Sequence, residues 1–264
     1  MASKIVLITG ANTGIGFQIV RALCSSERAY DILVGGRSLS KAQDAINSIK
    51  EEFPSSSSKL FPIQVDIEQD HSIQHAFNEV QSKFGRLDAL VNNAGAQFDQ
   101  KYLAGQLNQR EMWNLSWNVN TTGTQIITST FIPLLLQSSD PRLLFITSGT
   151  STLAGHENLA LPVNRSPAKG WPKAGFSIPA YRSAKCGLNM LMREWHRTLK
   201  EDGFKVFSIS PGFLATGLGG NPEASKKMGA GDPAIAGPFI RSVLEGQRDE
   251  DAGKVLTKDG VQPW

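Results

Sequence analysis

The amino-acid sequence predicts a single α/β domain built on a doubly wound parallel sheet of about seven strands, with helices on both faces. Two patterns in the 264 residues support this prediction. Apolar runs of strand length recur without polar–apolar alternation, which is typical of strands covered on both faces. Between these runs, apolar residues recur at helical spacing. Strands that alternate with helices favour right-handed crossovers and hence a parallel sheet.

The predicted strands cover residues 4–9, 31–34, 60–65, 87–91, 142–147 and 205–209, with residues 254–257 as a candidate seventh strand. Two of the intervening segments show the helical period clearly. The apolar positions that share one helix face are Ala42, Ala45, Ile46, Ile49 and Phe53 after the second strand, and Ile73, Ala76, Phe77, Val80 and Phe84 after the third.

Composition and charge exclude several classes of protein. Hydrophobic residues make up 40% and charged residues 19%, so the chain is neither disordered nor collagen-like. Its 27 basic and 24 acidic residues form no block of like charge, which argues against a nucleic-acid or membrane-surface partner. Cys24 and Cys186 are the only cysteines and belong to no metal-ligand cluster, so we expect no metal and a reducing compartment. No apolar run suits a signal peptide or a spanning helix, so we expect a soluble, cytoplasmic protein.

The first strand is followed by a glycine-rich turn, Thr9-Gly-Ala-Asn-Thr-Gly-Ile-Gly16, which opens a helix predicted over residues 17–23. Glycines at positions 10, 14 and 16 let a pyrophosphate approach the backbone, and the helix N-terminus favours its negative charge. This is the arrangement of a Rossmann-type dinucleotide site. The alternative is a tight strand–helix turn that binds no ligand.

The second strand ends in Gly35, Gly36 and Arg37. A site selective for NAD usually places Asp or Glu there to bind the ribose hydroxyl. Because an arginine stands there instead and can pair with a 2′-phosphate, the sequence favours NADPH/NADP+ as cofactor. The alternative for Arg37 is an ordinary solvated surface arginine.

Tyr181 and Lys185 are four positions apart at the start of a predicted helix, so their side chains share one helix face. A nearby cation favours the phenolate and lowers the pKa of a tyrosine from its usual value near 10. The pair is therefore a candidate for proton transfer near neutral pH. Taken alone, it is also compatible with an ordinary surface pair.

Six motifs follow one another in order: the glycine-rich turn, Asn92-Asn-Ala-Gly95, Asn120, Ser148, Tyr181-Arg-Ser-Ala-Lys185 and Pro211-Gly-Phe-Leu-Ala-Thr216. In this order and spacing the chain resembles the short-chain dehydrogenase/reductase family, in the compact single-domain branch that includes NADPH-dependent carbonyl reductases. The resemblance extends from residue 4 to about residue 216. It implies one dinucleotide-binding catalytic domain over residues 1–264.

The resemblance implies four catalytic residues. Ser148 would hold the substrate carbonyl, and Tyr181 would be the general acid. Lys185 would lower the pKa of Tyr181 and bind the nicotinamide ribose. Asn120 would hold a water that links Lys185 to solvent.

The resemblance also implies a set of cofactor-binding residues, which would surround the pyrophosphate, the adenosine and the nicotinamide. They are Gly10, Asn12, Thr13, Gly14, Ile15, Gly16, Arg37, Asp66, Ile67, Asn93, Ala94, Gly95, Tyr181, Lys185, Pro211, Gly212, Leu214 and Thr216. Asp66 would bind the adenine, with a helix-cap role as its alternative. Asn93 would lie under the adenosine ribose, with a structural role as its alternative.

The chain departs from the family pattern between Ser148 and Tyr181, which are 33 positions apart (181 − 148), far more than the family spacing. The excess is the Pro-, Gly- and Trp-rich stretch of residues 154–179, here called the insertion. It is either a surface loop with no role in substrate binding or a lid or wall over the substrate. Insertions of this kind in relatives resembling monomeric carbonyl reductases cover the helix face used for tetramerisation, so a homodimer, a homotetramer and a monomer all stay open. Residues 217–232 match the family's mobile substrate loop.

These features together predict NADPH-dependent reduction of a ketone or aldehyde to an alcohol. The apolar residues of the insertion favour a bulky, hydrophobic substrate. The partner would be a small-molecule carbonyl substrate, with no nucleic acid and no membrane. The alternatives are an NADP-dependent alcohol dehydrogenase in a biosynthetic pathway and a non-catalytic NADP-binding regulator. The presence of all four catalytic residues argues against the regulator.

Overall fold

The structure is a computed structural model and describes residues 3–173 and 175–264. One sheet contains the strands β1 (Lys4–Ile8), β2 (Tyr30–Gly36), β3 (Lys59–Gln64), β4 (Ala89–Asn92), β5 (Arg142–Ile146), β6 (Lys205–Ile209), β7 (Val255–Thr257) and β8 (Gly260–Gln262). Their order is β3-β2-β1-β4-β5-β6-β7-β8. Neighbouring strands are parallel except β7 and β8, which are antiparallel.

The α/β fold class is therefore confirmed, with one strand more than the seven candidates. The additional strand β8 follows β7 through a short turn, so the last pair of the sheet is antiparallel rather than parallel. Sequence patterns do not reveal β8, because its three residues form no apolar run. The strand β2 is also longer than predicted, because Gly35 and Gly36 pair with Ile63 and Gln64 of β3 despite the low strand propensity of glycine.

The described part of the chain contains the helices α1 (Gly14–Cys24), α2 (Leu39–Glu52), α3 (Asp70–Phe84), α4 (Asp99–Leu103), α5 (Gln109–Trp117), α6 (Thr124–Leu135), α7 (Pro179–Thr198), α8 (Pro222–Lys227) and α9 (Ala236–Leu244). A π-helical turn, Asn118–Gly123, joins α5 to α6. Within the described ranges, none of these helices has the length and apolar character that crossing a bilayer requires.

Helices cover both faces of the sheet and form two separate hydrophobic cores. Val6 and Ile8 of β1 pack in the core that includes α1, α2 and α9. Ile5 and Leu7 pack in the opposite core, which includes α3, α6 and α7. Because successive side chains of a strand point to opposite faces, both sets of positions must be apolar. Double coverage thus explains why the strand sequences do not alternate.

The sheet order reverses at β1, since β2 lies on one side of it and β4 on the other. In open α/β sheets, ligands bind in the crevice outside the carboxyl ends of the strands at such a point. The glycine-rich turn follows β1, the Asn92–Gly95 segment follows β4, and Ser148 follows β5. The topology therefore brings the sequence motifs to one edge of the sheet.

Candidate active site

The glycine-rich turn between β1 and α1 depends on its glycines for two different reasons. Gly10 and Gly14 have φ values of +62° and +56°, a left-handed conformation that other residues rarely adopt. At Gly16, a Cβ atom would lie 2.5 Å from the carbonyl oxygen of Gly10 and 2.6 Å from Nδ2 of Asn93. The turn conformation requires the first two glycines, and close packing requires the third.

The N-terminus of α1 is open to an anion. Its N-cap residue, Thr13, makes no side-chain cap hydrogen bond, and the first turn contains no acidic residue. By contrast, Ser38 caps α2 with its hydroxyl oxygen. Ile15 packs its side chain against the core, so it presents only its backbone to the turn. Unpaired N–H groups and the helix dipole fit the pyrophosphate of a dinucleotide.

Asn93 fastens the turn to β4. Its side-chain Nδ2 donates to the carbonyl oxygens of Thr9 at 2.8 Å and Gly10 at 3.1 Å. The hydroxyl oxygen of Thr9 in turn accepts from the backbone N–H groups of Asn93 and Ala94 at 3.0 and 2.9 Å. These contacts support the structural alternative for Asn93, which shapes the cradle rather than offering its amide to a ligand.

Arg37 lies at the end of β2 with its side chain 75% exposed, and its Nη1 is 3.9 Å from Oε2 of Glu68. A long, exposed ion pair of this kind holds a side chain only weakly. The neighbouring Gly36 faces the turn, since a Cβ there would lie 3.3 Å from Oδ1 of Asn12. The guanidinium is therefore accessible beside the glycine-rich turn.

Asp66 does not cap a helix. Its Oδ1 accepts from the backbone N–H of Glu68 at 3.1 Å, whereas the N-cap of α3 is Gln69. The helix-cap alternative is therefore wrong, because α3 begins later than the motif suggests. The next residue, Ile67, has its carbonyl oxygen against Gly123, where a Cβ would clash with it. This contact packs the segment after β3 against the π-helical turn.

Tyr181 and Lys185 lie together at the start of α7, where both are buried, with 7% and 4% of their surfaces exposed. The Nζ atom of Lys185 is 6.0 Å from the centre of the Tyr181 ring. It donates to the carbonyl oxygen of Ile146, at the end of β5, at 2.8 Å. The shared helix face predicted from the spacing is thus present, and the ammonium is fixed to the sheet edge.

Burial is the main cause of the pKa shifts of both Tyr181 and Lys185. It raises the pKa of Tyr181 to about 12, although the neighbouring Ser148 hydroxyl acts in the opposite direction. Burial also lowers the pKa of Lys185 to about 8. The pKa of Tyr181 is therefore raised rather than lowered as expected, because burial of the phenol outweighs the hydrogen bond with Ser148. A phenol with a raised pKa carries its proton at neutral pH.

Ser148 has its hydroxyl beside the phenol, and its neighbours orient it. Its Oγ accepts from the backbone N–H of Thr150 at 3.1 Å and lies 2.9 Å from the Thr150 hydroxyl. Either of these two hydroxyls can donate to the other, so the Ser148 hydroxyl is held in place by Thr150. The preceding Thr147 is buried and points its hydroxyl to the carbonyl of Lys185 at 3.3 Å.

Asn120 lies in the π-helical turn and is fully buried. Its Nδ2 donates to the carbonyls of Ala96 and Ser116 at 2.8 and 2.9 Å, and its Oδ1 accepts from the N–H of Ala96 at 3.2 Å. A Cβ at Gly95 would lie 2.9 Å from Oδ1 of Asn120 and 3.2 Å from Nζ of Lys185. The amide therefore holds two backbone segments next to Lys185, and both of its N–H groups are already used.

Comparison with known proteins agrees with this geometry. Residues 4–160 match the family model described as short chain dehydrogenase. The chain belongs to the short-chain dehydrogenase family. It is therefore an oxidoreductase of a family that binds nicotinamide cofactors and acts on small molecules.

Two fungal short-chain dehydrogenases are similar along their whole length. The protein eupG of Phoma sp. is 48% identical, over 98% of this chain and 97% of that protein. The protein tropE of Talaromyces stipitatus is 44% identical, over 99% of this chain and 98% of that protein. The fold is similar to that of an NADPH-bound carbonyl reductase from chicken fatty liver, with a TM-score of 0.78 at 22% identity over 100% of both chains.

In this short-chain dehydrogenase, the last motif closes the site from the β6 side. A Cβ at Gly14 would lie 3.7 Å from Cβ of Thr216, so the end of the motif meets the glycine-rich turn. Pro211 and Gly212 follow β6 directly, and the side chain of Leu214 is buried in the core. Leu214 can therefore contact a ligand only through its backbone.

The segment 217–232 contains more structure than its composition suggests. It includes a 3₁₀ turn, Gly217–Gly219, and the helix α8. Its base is closed by backbone pairing, in which Ala215 donates to Gly231 and Gly231 donates to Phe213, each at 2.9 Å. At its tip, a Cβ on Gly219 would lie 3.5 Å from Nε2 of Gln100. The loop thus spans from β6 to the segment that follows β4.

The first half of the insertion is anchored beside the catalytic residues. The guanidinium of Arg182 donates to the carbonyls of Thr150 and Val163 at 2.9 and 3.2 Å, and to Oδ1 of Asn164 at 2.8 Å. Two 3₁₀ turns, Ala154–Glu157 and Pro162–Asn164, lie in this half. In the second half, Trp171 is 87% exposed. Position 174 lies outside the described residues.

Sequence reasoning missed Asp99 and Arg182, both of which contact the catalytic segment. Asp99 is buried, and its two carboxylate oxygens accept from the backbone N–H groups of Ala180 and Tyr181. The sequence offers only a weak signal for either, namely an acidic residue four positions after Gly95 and an arginine directly after Tyr181. Neither signal identifies a partner.

Proposed function

We propose that this chain is an NADPH-dependent carbonyl reductase, which reduces a bulky, hydrophobic ketone or aldehyde to an alcohol. One observation carries the proposal: the buried Tyr181 phenol lies beside the Ser148 hydroxyl, with Nζ of Lys185 6.0 Å from its ring. Reduction of a carbonyl requires a proton for the oxygen that becomes the alcohol. A buried, protonated phenol is suited to donate it as a general acid.

The side chains of the site would have separate roles around the carbonyl oxygen of the substrate. Tyr181 and Ser148 direct two hydroxyl donors to the point where negative charge develops, which stabilises that charge most in a site with little water. The Lys185 ammonium, held by the carbonyl of Ile146, adds a positive charge behind the phenol. When bound, NADPH supplies the hydride, which no protein side chain provides.

The NADPH preference rests on the nucleotide end of the site. The uncapped N-terminus of α1 and the close approach allowed by Gly16 suit the pyrophosphate. Arg37 would pair with the 2′-phosphate, a charge-assisted contact that an exposed guanidinium can make at little cost. Glu68 is the nearest competing partner for this guanidinium.

The bulky substrate is inferred from the insertion. Its apolar side chains, among them Leu159, Leu161 and Phe176, are exposed and would be available to pack on a bulky substrate. We propose that residues 154–179 form a wall of the substrate site and that residues 217–232 form a substrate loop. The whole chain, residues 1–264, would then act as one catalytic domain.

The oxidative alternative is less well supported. It uses the same residues in reverse, since the phenol that donates a proton in reduction accepts one in oxidation, so reduction is favoured only by the NADPH preference inferred from Arg37. A non-catalytic NADP-binding regulator would have no need for all four of Asn120, Ser148, Tyr181 and Lys185. The cytoplasmic location and the choice between monomer, homodimer and homotetramer stay predictions.

The test compares the wild-type chain with Tyr181→Phe in a turnover screen of aldehydes, aromatic ketones, quinones and diketones with NADPH. Turnover should fall by about 10²–10⁴-fold in the variant, because the proton donor is lost. The Kd for NADPH, measured by fluorescence titration, should stay within about twofold, since the ring still fills its place.

Tyr102→Phe is the matched control, because Tyr102 is an exposed tyrosine on the short helix α4. It should leave both turnover and NADPH binding unchanged. Wild-type turnover in Tyr181→Phe would overturn the proposed mechanism.

A further inference from the structure

Asp99 is a carboxylate enclosed in the protein beside the catalytic helix. It begins α4 and only 1% of its surface is exposed. Its Oδ1 accepts from the backbone N–H of Ala180 at 3.0 Å, and its Oδ2 accepts from that of Tyr181 at 3.2 Å. Both oxygens therefore bond the first turn of α7.

The first turn of α7 lacks a cap of its own. The N-cap residue, Ile178, has no side-chain oxygen, and Pro179 occupies the first helical position. The first N–H groups of a helix have no partner within the helix, so they need one from elsewhere. Asp99 supplies it from a segment that is 82 positions away from Tyr181 in the chain.

The charge of Asp99 is balanced by the helix rather than by a cation. Among the ion pairs of the described residues, none includes Asp99. Burial raises the pKa of its carboxyl group, and the hydrogen bonds from Ala180 and Tyr181 lower it in part. The positive end of the α7 dipole favours an anion at this place.

The segment from Ala96 to Asp99 connects two of the proposed catalytic residues. Ala96 is held through its backbone N–H and carbonyl by the side chain of Asn120. Asp99, three positions later, holds the backbone of Tyr181. The position of the phenol relative to the sheet edge therefore depends on this segment as well as on α7.

We propose that Asp99 is a positioning residue for carbonyl reduction, which holds the first turn of α7 so that the Tyr181 phenol stays in place beside the Ser148 hydroxyl. This inference rests on the proposed function of Tyr181. The terminal turn of a helix frays readily when its N–H groups lack partners. Because proton transfer requires hydrogen-bond distances, a small displacement of the phenol slows the reaction markedly.

The test uses Asp99→Ala and Asp99→Asn, with Asp88→Ala as the matched control. Asp88 is also a buried carboxylate that accepts a backbone N–H, that of Ile5 at 2.8 Å, but it lies at the opposite edge of the sheet. Each protein is measured at a temperature at which circular dichroism shows it to be folded. The readouts are hydrogen exchange by mass spectrometry, the Kd for NADPH, and kcat and KM for an aromatic ketone that the wild-type chain reduces.

In Asp99→Ala, exchange should rise in the peptide that covers residues 179–185, and kcat should fall about tenfold with the Kd for NADPH unchanged. Asp99→Asn keeps one acceptor oxygen, so exchange should rise less and kcat should fall by only about threefold. Asp88→Ala should raise exchange near residues 4–8 and leave kcat unchanged. The Asn variant, which has almost the native shape, carries the test if the Ala variant does not fold.

Two results would overturn the proposal. One is unchanged exchange at residues 179–185 in both Asp99 variants. The other is a loss of kcat in Asp88→Ala equal to that in Asp99→Ala, which would make the effect one of general stability. The proposed function fails separately, through wild-type turnover in Tyr181→Phe, and the exchange measurement needs no substrate.

Discussion

The guanidinium of Arg182 donates a hydrogen bond to the side-chain oxygen of Asn164 at 2.8 Å, and so joins the residue after Tyr181 to the insertion. Asn164 is itself held in place, since its Nδ2 donates to the carbonyls of Gly155 and Asn158, each at 2.9 Å. The first half of the insertion is thereby fixed to the catalytic helix. This arrangement favours the interpretation of the insertion as a wall beside the substrate over that of a surface loop with no role in substrate binding.

Arg182→Ala should therefore weaken substrate binding rather than chemistry. Three hydrogen bonds are lost, each worth about 0.5–1.5 kcal/mol, and the wall can move away from the site. We expect KM for a bulky ketone to rise by about tenfold and KM for a small aldehyde to change little. Steady-state kinetics on the two substrates measures this difference.

Arg197→Ala is the control for this experiment, because Arg197 lies on the same helix in an exposed pair with Glu194. It should change neither KM. An equal rise of KM for the small and the bulky substrate in Arg182→Ala would contradict the wall.

Carbonyl reduction should slow as the pH rises through about 8. The pKa of Lys185 is lowered to about 8, so its ammonium is present below that pH and is lost above it. The pKa of Tyr181 is raised to about 12, so the phenol keeps its proton throughout this range. The loss of rate would thus report the cation that stabilises the developing charge. The measurement is kcat at saturating NADPH between about pH 6 and pH 9.5.

Lys185→Met identifies the group responsible for this pH dependence. The variant has no ammonium to lose, so its rate should be low at every pH and should not fall further near pH 8. A decline near pH 8 that persists in Lys185→Met would assign the pH dependence to another group.

Arg37→Asp should weaken NADPH binding far more than NADH binding. A hydrogen bond to a charged group contributes about 1.5–3 kcal/mol, which corresponds to a change of roughly 10–100-fold in the Kd for NADPH. Glu68→Gln should have the opposite sign, because it removes the carboxylate that lies 3.9 Å from the guanidinium. Fluorescence titration with the two cofactors measures both effects. Equal weakening of NADPH and NADH in Arg37→Asp would exclude the 2′-phosphate contact.

Gly16→Ala should destabilise the fold and impair cofactor binding together. The added Cβ would lie 2.5 Å from the carbonyl oxygen of Gly10, so the turn must shift, at a cost of about 1–3 kcal/mol. Gly217→Ala is the control, since a Cβ there meets nothing within 4 Å and its φ is not left-handed. Thermal unfolding and NADPH titration measure the two effects. A Gly16→Ala protein with wild-type stability and affinity would show that the close packing has no consequence.

The glycine-rich turn could be predicted because its conformation depends on local sequence. The glycines at positions 10, 14 and 16 act through their own backbone and through the helix that follows directly, so their spacing carries the information. The pairing of Tyr181 with Lys185 is local in the same sense, because helix geometry alone brings positions four apart together.

The sign of the Tyr181 pKa could not be predicted, because it depends on how completely the surrounding chain removes water from the phenol. For Asn93 the sequence left two roles open, and the structure supports the structural one, because its amide donates to the carbonyls of Thr9 and Gly10. The strand β8 could not be predicted either, since a strand of three residues with little apolar character is recognised only by its pairing with β7.

The sequence by itself determined the fold class, the order of the motifs and the residue types that meet at the carboxyl edge of the sheet, because these follow from local periodicity and from parallel topology. Only the tertiary structure decided which partners those residues have. It assigned Asp99 to the first turn of α7, Arg182 to the insertion, and burial to Tyr181 and Lys185. Hydrogen bonds between distant segments and the removal of water arise only when the chain packs, so no pattern along the sequence encodes them directly.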